Sequence, residues 1–215
     1  MALLLSYPLG RDTPVFPGTP PLRIEPFQTI ERHGSRSFTV TMNTHAGTHV
    51  DLPAHFHQEG RGASELGALL TLAPVLCIDL PAEGGPLRLE VLPTEAEEAE
   101  ALLLRTGHYR YRAADPERYR GEGPWLHPDG ARRLAALPRL RAVGLDTLSA
   151  ASPSYPEEGT EVHRLLLRPE RPILVLEDLD LSSSELAQGR WRMLIAPLLV
   201  DDVDATPVTV LLEPL

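Results

Sequence analysis

Twenty-two prolines and sixteen glycines are spread along 215 residues, and they exclude an architecture built from long uninterrupted helices. The stretch DTPVFPGTPPLRIEPF shows this best. Proline has no backbone N–H to give to a helix, so the segment reads as an extended arm that turns at its prolines. Between the breaks lie short apolar runs. SFTVTMNTH alternates as a strand does, with Phe38, Val40 and Met42 on one side. LGALLTLAPVLCIDL reads as a short helix or turn followed by a buried strand from Val75 to Leu80. PTEAEEAEALLLRTG begins as an acidic helix, with Thr94 and Glu97 at capping-box spacing, and its apolar end, Ala101 to Leu104, enters a strand. RAVGLDTL, RPILVLEDLDL, WRMLIAPLLV and PVTVLLEP supply further strand-like runs, and ARRLAALPRL a short helix limited by Pro138. Residues 108–130 are aromatic, basic and rich in breakers; they read as a surface excursion, a candidate lid to which His108 and Trp125 would bring substrate contacts. Strands alternating with helical segments favour a mixed α/β fold over a bundle or a pure sandwich. The length suits one domain, 1–215, with a substantial core.

Acidic residues number 30 and basic residues 20, a formal charge of −10. That balance argues against a broad phosphate-binding surface, so no nucleic-acid partner is expected. It argues equally against attraction to an anionic membrane. No run reaches the 18 or more apolar residues of a spanning helix. Cys77, the only cysteine, lies in the apolar run VLCIDL and reads as a buried thiol; no internal disulfide can form. The expected setting is the cytoplasm.

The chemistry concentrates in HAGTHVDLPAH, His45 to His55, where His45, His49, Asp51 and His55 occupy alternate positions with Gly47 and Pro53 between them. His45 and His49 have the i,i+4 spacing of a metal-binding helix. Asp51 does not share that face, and Thr-His-Val-Asp-Leu-Pro is poor helix material. A turn leading into a strand fits better, with His49 and Asp51 on one face and bends near Gly47 and Pro53 bringing His45 and His55 inward. Imidazole and carboxylate suit Zn²⁺ or another first-row divalent ion, and a free histidine beside them suits proton transfer. A hydrogen-bonded polar loop and a metal-free acid–base site are the competing readings of the residues alone.

The stretch also resembles a known motif. His45, Gly47, Thr48, His49, Asp51, Pro53 and His55 match His-x-Gly-Thr-His-x-Asp-x-Pro-x-His of the cyclase family that includes bacterial kynurenine formamidases. The resemblance extends to TPVFPG, LLLRTG, GLDTLS, EVHRLLL followed by ILVLEDLDL, and the ending APLLVDDVDATPVTVLLEP. It implies a mixed-sheet, barrel-like α/β fold with flanking helices, assembled as a homodimer or higher homo-oligomer. It implies two divalent metal ions per subunit, Zn²⁺ or alternatively Mn²⁺. The ligands it assigns are His45, His49, Asp51, His163 and Glu177, with Asp51 and Glu177 as candidate bridges and His55 as the proton-transfer residue. The activity implied is amide hydrolysis, with N-formyl-L-kynurenine as the named substrate; another cyclic or acyclic amide, or a metal-stabilised binding protein without turnover, are the alternatives. Phe16 stands where the formamidases usually carry tryptophan, and it is the candidate substrate contact, in its own pocket or a neighbour's. His33, His57, His108 and His127 fall outside the motif.

Overall fold

The computed structural model describes residues 2–66 and 70–215. Among them the strands are β1 (Leu3–Leu4), β2 (Arg23–Gln28), β3 (Ser37–Thr41), β4 (His49–Asp51), β5 (Leu70–Asp79), β6 (Pro86–Leu87), β7 (Ala101–Arg105), β8 (Trp125–Leu126), β9 (Ala142–Leu145), β10 (Leu174–Glu177), β11 (Trp191–Pro197) and β12 (Ala205–Pro214). The main sheet runs β12-β11-β5-β7-β9-β10-β4, and β4 pairs with β12 again, so the sheet closes into a barrel. Neighbours β5, β7, β9 and β10 are parallel, while the pairings through β4, β11 and β12 are antiparallel. Closure leaves no unpaired backbone edge within the ring. β1 lies alongside β12, pairing Leu3 with Leu212.

Strand periodicity sorts the apolar residues into two cores. Ala101 and Leu103 of β7 pack with Val50, Leu176, Met193 and Val210, a set drawn from around the ring that fills the barrel. Their neighbours Leu102 and Leu104 face the other way, with Val143, Leu145 and Val175, and meet Leu134, Val162 and Leu166 of the covering helices. Burial of each such leucine contributes about 1.5–3 kcal/mol. The covering helix Pro156–Leu166 starts with proline at its first turn followed by Glu157 and Glu158, both suited to a helix N-terminus. Its buried residues, Gly159, Val162, His163 and Leu166, fall at 0, 3, 4 and 7, a single helical stripe against the sheet. His163 is therefore carried inward by the same periodicity that packs the helix.

Two sequence expectations change, and the strand read in SFTVTMNTH holds. Thr94–Glu98 is a five-residue 3₁₀ turn capped by no side chain; Thr94 Oγ1 turns instead to Glu95, and Ala99 is already extended toward β7, which leaves no length for a capped helix. The strand β3 exists, but Phe38 and Val40 are exposed on a two-stranded arm with β2. The excursion after Gly107 is fastened down, since Tyr119 is buried and Arg112 is paired with Asp178. The helix or turn expected ahead of the Val75 strand falls partly on residues 67–69, outside the described residues; from Leu70 the chain is already β5. Among the described residues no helix is long and apolar enough to cross a membrane.

Candidate metal centre

β4 lies between β10 and β12, with His49 opposite Glu177 and Asp51 opposite Val175. Since Val50 and Leu176 point into the barrel, their alternates His49, Asp51 and Glu177 share the outer face, beneath the helix that carries His163. All four are buried. His49 Nε2 lies 3.3 Å from Asp51 Oδ1 and 3.3 Å from Glu177 Oε2. His163 Nε2 lies 3.3 Å from Asp51 Oδ2 and 3.5 Å from Glu177 Oε1. On the far side of each ring, Nδ1 meets a backbone carbonyl: Gly47 O at 2.8 Å for His49 and Gly159 O at 2.7 Å for His163. A carbonyl only accepts, so Nδ1 carries a proton, and in the neutral rings a metal ion would require, both Nε2 lone pairs point into the cluster. Glu177 is fixed through Oε1, which accepts from the Ala150 amide at 2.7 Å and the Ser149 hydroxyl at 3.0 Å, leaving Oε2 toward His49.

His45 and His55 reach the cluster by two bends. Gly47 has φ +68°, and a Cβ there would lie 2.5 Å from a Leu9 methyl, so glycine permits both the turn and the close approach of the N-terminal arm. The 3₁₀ turn Pro53–His55 then brings His55 back, its ring centroid 4.3 Å from that of His45. His45 Nδ1 is 2.9 Å from Asp51 Oδ1. The other nitrogen of His45 and Nδ1 of His55 both meet Asp204 Oδ2, at 3.1 and 2.6 Å.

The charges are strongly coupled. Burial would raise the Asp51 carboxyl, but His163, His45 and His49 pull it well below its ordinary value. Burial and Asp51 oppose ionisation of Glu177, and His163 and His49 still bring it down to about 2. Burial disfavours charged imidazole, yet Asp204 and Asp51 lift His45 to about 9, and Asp51 and Glu177 lift His163 to about 10. Carboxylates kept ionised among imidazoles are a donor set suited to a divalent cation. Despite their short separations, His49 Nε2 and Asp51 Oδ1 are not aligned to hydrogen-bond anything and are buried without a partner. Buried polar atoms are normally satisfied, so these two fit a metal ion better than they fit each other. Two donor groups emerge, His45–Asp51–His55 and His49–Asp51–Glu177, each with ligand atoms within 4.8 Å of one another and Asp51 common to both.

A cavity of about 650 Å³ opens onto this cluster, within the range of small-molecule sites. Phe16 of the same chain lines it together with Phe56, which stacks on the His163 ring at 4.9 Å. His108 and Trp125 do not line it: His108 stacks on Tyr119, and Trp125 stacks on Tyr155 and donates to Glu158. The structure thus brings His45, His49, Asp51, His55, His163, Glu177 and Phe16 around one cavity. Sequence reading passed over Asp204, Phe56 and the Ser149–Ala150 turn. The only hint of Asp204 was its place in an ending that matched the family, since DDVDATP otherwise reads as a solvated acidic loop.

The family model described as "Putative cyclase" matches residues 3–152. A kynurenine formamidase of Bacillus cereus is 30% identical over 212 residues, 98% of this chain and 96% of that protein, and one of Bacillus anthracis is 29% identical over the same span. Among solved structures, an isatin hydrolase bound to the product analogue thioisatinate superposes with a TM-score of 0.80 at 20% identity, covering 100% of this chain and 92% of that one. A predicted metal-dependent hydrolase from Bacillus stearothermophilus gives 0.75 at 24%, covering 99% and 97%. The barrel and its flanking helices are thus features of a shared fold, and this chain belongs to the putative cyclase family.

Proposed function

We propose that the protein is a metal-dependent amide hydrolase with two Zn²⁺ per subunit, or Mn²⁺ in their place, and that its leading substrate is N-formyl-L-kynurenine, cleaved to L-kynurenine and formate. One observation carries the reading: His49 Nε2 and Asp51 Oδ1 are buried without partners where His45, His163 and Glu177 converge. His45, His49, Asp51, His163 and Glu177 would hold the ions, Asp51 being common to both groups of donors. Bound there, the ions supply Lewis acidity toward a carbonyl and make water more acidic. His55 takes a proton from the attacking water and returns one to the departing amine. The water oxygen stays on the formyl carbon, the C–N bond breaks, and the nitrogen leaves as a neutral amine. Phe16 offers its ring to the aryl group of the substrate. The kynurenine formamidases at 29–30% identity support this choice of substrate.

The test is turnover of N-formylkynurenine by protein loaded with zinc or manganese. Formate release that chelator removes, and that His55→Ala lowers by about 10²–10⁴-fold with metal retained, is the expected result. Unchanged turnover in His55→Ala removes its role; bound metal without formamidase activity removes the substrate. A second reading, another cyclic or acyclic amide, is favoured by the cavity wall beyond the ligands. Phe16, Pro17, Leu148, Pro153 and Pro156 are apolar, and no arginine is among the lining residues to pair with a substrate carboxylate. A panel of neutral cyclic amides beside N-formylkynurenine decides between the two. A homodimer or larger assembly belongs to the same proposal. Its support is the β2–β3 arm, on which Phe27, Ile30, Phe38 and Val40 are exposed. Light scattering that gives a monomer mass would refute it.

A further inference from the structure

We propose that Asp204 is a positioning residue that serves two histidines at once, presenting His45 to the metal site and His55 to the substrate. The inference rests on the metal-dependent reading above. Asp204 stands one residue ahead of β12, and the pairing of Ala205 with Asp51 sets it beside the end of β4. Its backbone carbonyl accepts from Leu52 N at 3.1 Å, which fastens it to the chain between Asp51 and the His55 turn. Its side chain then reaches over both histidines. Oδ2 is 3.1 Å from His45 Nε2 and 2.6 Å from His55 Nδ1, while Oδ1 accepts from the Thr44 hydroxyl at 3.4 Å.

The geometry decides which nitrogen does what. A carboxylate oxygen only accepts, so the nitrogens facing Asp204 are the ones that carry hydrogen. In neutral His45 this leaves the lone pair on Nδ1, the nitrogen 2.9 Å from Asp51 Oδ1 and on the ligand side. In neutral His55 it leaves the lone pair on Nε2, the form a general base needs. His45 and His55 thereby acquire different duties from one carboxylate: one turns Nδ1 to the metal, and the other keeps Nε2 for protons. The neighbouring acids Asp201 and Asp202 are exposed, and neither shares these contacts.

Asp204→Asn tests both halves, with Asp201→Asn as the control. Zinc-loaded Asp204→Asn should lose about 10–100-fold in kcat on N-formylkynurenine while KM moves less than about threefold. Zinc affinity of the chelated and reloaded protein, read against a competing zinc chelator, should fall by about tenfold or more. At saturating zinc in a His55→Ala background, the same substitution should lower kcat by less than about threefold, because the histidine through which it acts on proton transfer is gone and the His45 effect appears in zinc affinity. Asp204→Glu, which keeps the charge and both acceptors, should recover part of both losses. The proposal fails if Asp204→Asn keeps kcat and zinc affinity within about twofold of the parent. Its His55 half fails if the kcat loss is as large in the His55→Ala background, and its His45 half fails if zinc affinity alone is unmoved. Should Asp204→Asn not fold, Asp204→Ser carries the same readouts. The zinc titration needs no substrate. Zinc bound without amide turnover refutes the hydrolase reading, whereas zinc affinity indifferent to Asp204 refutes this one.

Discussion

Glu177 and Asp178 are adjacent, buried and acidic, yet they keep different company. Asp178 is fully satisfied. Arg112 donates to both its oxygens at 2.7 Å, and the Tyr119 hydroxyl adds a third bond at 2.7 Å. Arg112 in turn lies 3.8 Å above the Tyr7 ring. Glu177 has donors on one oxygen only, and the other faces a histidine nitrogen that has no hydrogen-bond partner. The first arrangement is closed by the protein's own groups and fastens residues 111–121 to the end of β10. The second is left open on the side of the cavity. Incomplete satisfaction of buried polar atoms that face a cavity, here His49 Nε2 and Asp51 Oδ1, is what distinguishes the Glu177 cluster from the Asp178 one.

The largest expected effect comes from altering the open member. Glu177→Gln keeps an oxygen for Ser149 and Ala150 but removes the anion. Metal content after dialysis and turnover should both fall to background, while the metal-free protein stays folded by circular dichroism. Full zinc retention with normal turnover would erase the contrast with Asp178.

Altering the closed cluster should do the reverse. Arg112→Ala leaves Asp178 buried without its cation, and removing one partner of a buried pair costs about 3–5 kcal/mol. The denaturant midpoint should drop accordingly. The kcat of the protein that remains folded should stay within about threefold of the parent, since Arg112 lies outside the cavity wall. A large kcat loss at unchanged stability would place Arg112 in the chemistry.

The two clusters also part company with pH. In metal-free protein His45 and His163 titrate at about 9 and about 10 against an ordinary 6.5, so the folded chain holds these protons more tightly than the unfolded one. Their contribution to stability is complete below about 6.5 and is lost as pH rises through 9 to 10. Glu177, lowered from 4.5 to about 2, contributes above 4.5, and that contribution is lost as pH falls toward 2. The melting temperature in chelator should therefore be highest between about 4.5 and 6.5 and decline into the alkaline range. The Arg112 guanidinium stays charged throughout, so Arg112→Ala should lower this curve without flattening its alkaline slope. A flat profile from 6.5 to 10 would show that the histidine protons are not held by the carboxylates.

Local pattern carried much of this into the sequence. Period two on His49–Asp51 foretold that these side chains share a face, and Ala101–Leu104 was legible as a strand, although which of its leucines fill the barrel was not. The Gly47 and Pro53 bends were readable because φ-positive glycine and an N-terminal proline mark turns directly. What local pattern could not carry was pairing across long separations. Asp204 lies 149 residues from His55, and only the closure of β12 onto β4 selects it from a run with two other aspartates. The 108–130 segment misled for the same reason. Its arginines and tyrosines look like surface chemistry until Asp178, 66 residues on from Arg112, is seen to neutralise one of them.

The smallest effect expected is at Phe16, and it sharpens the contrast by separating the cavity wall from its floor. The arm that carries Phe16 is pressed against the His45–His49 loop, where Leu9 and Thr13 lie over Gly47. Phe16 lines the cavity and its side chain has no polar group, so on the proposed reading its contribution would be contact with bound substrate that persists from ground state to transition state. An aromatic contact of that kind is worth about 0.5–1.5 kcal/mol, or roughly a 2- to 12-fold rise in KM for Phe16→Ala with kcat little changed. Phe16→Trp should restore or lower KM for an aryl substrate if the wall has room for the larger ring. Metal content should be the same in all three proteins, because none of the cluster's donors lies on this arm. A fall in kcat equal to the rise in KM would mean that the arm also aligns the reacting bond. Loss of metal in Phe16→Ala would mean that the wall and the floor are one cooperative unit, joined through the packing of Leu9 and Thr13 on Gly47.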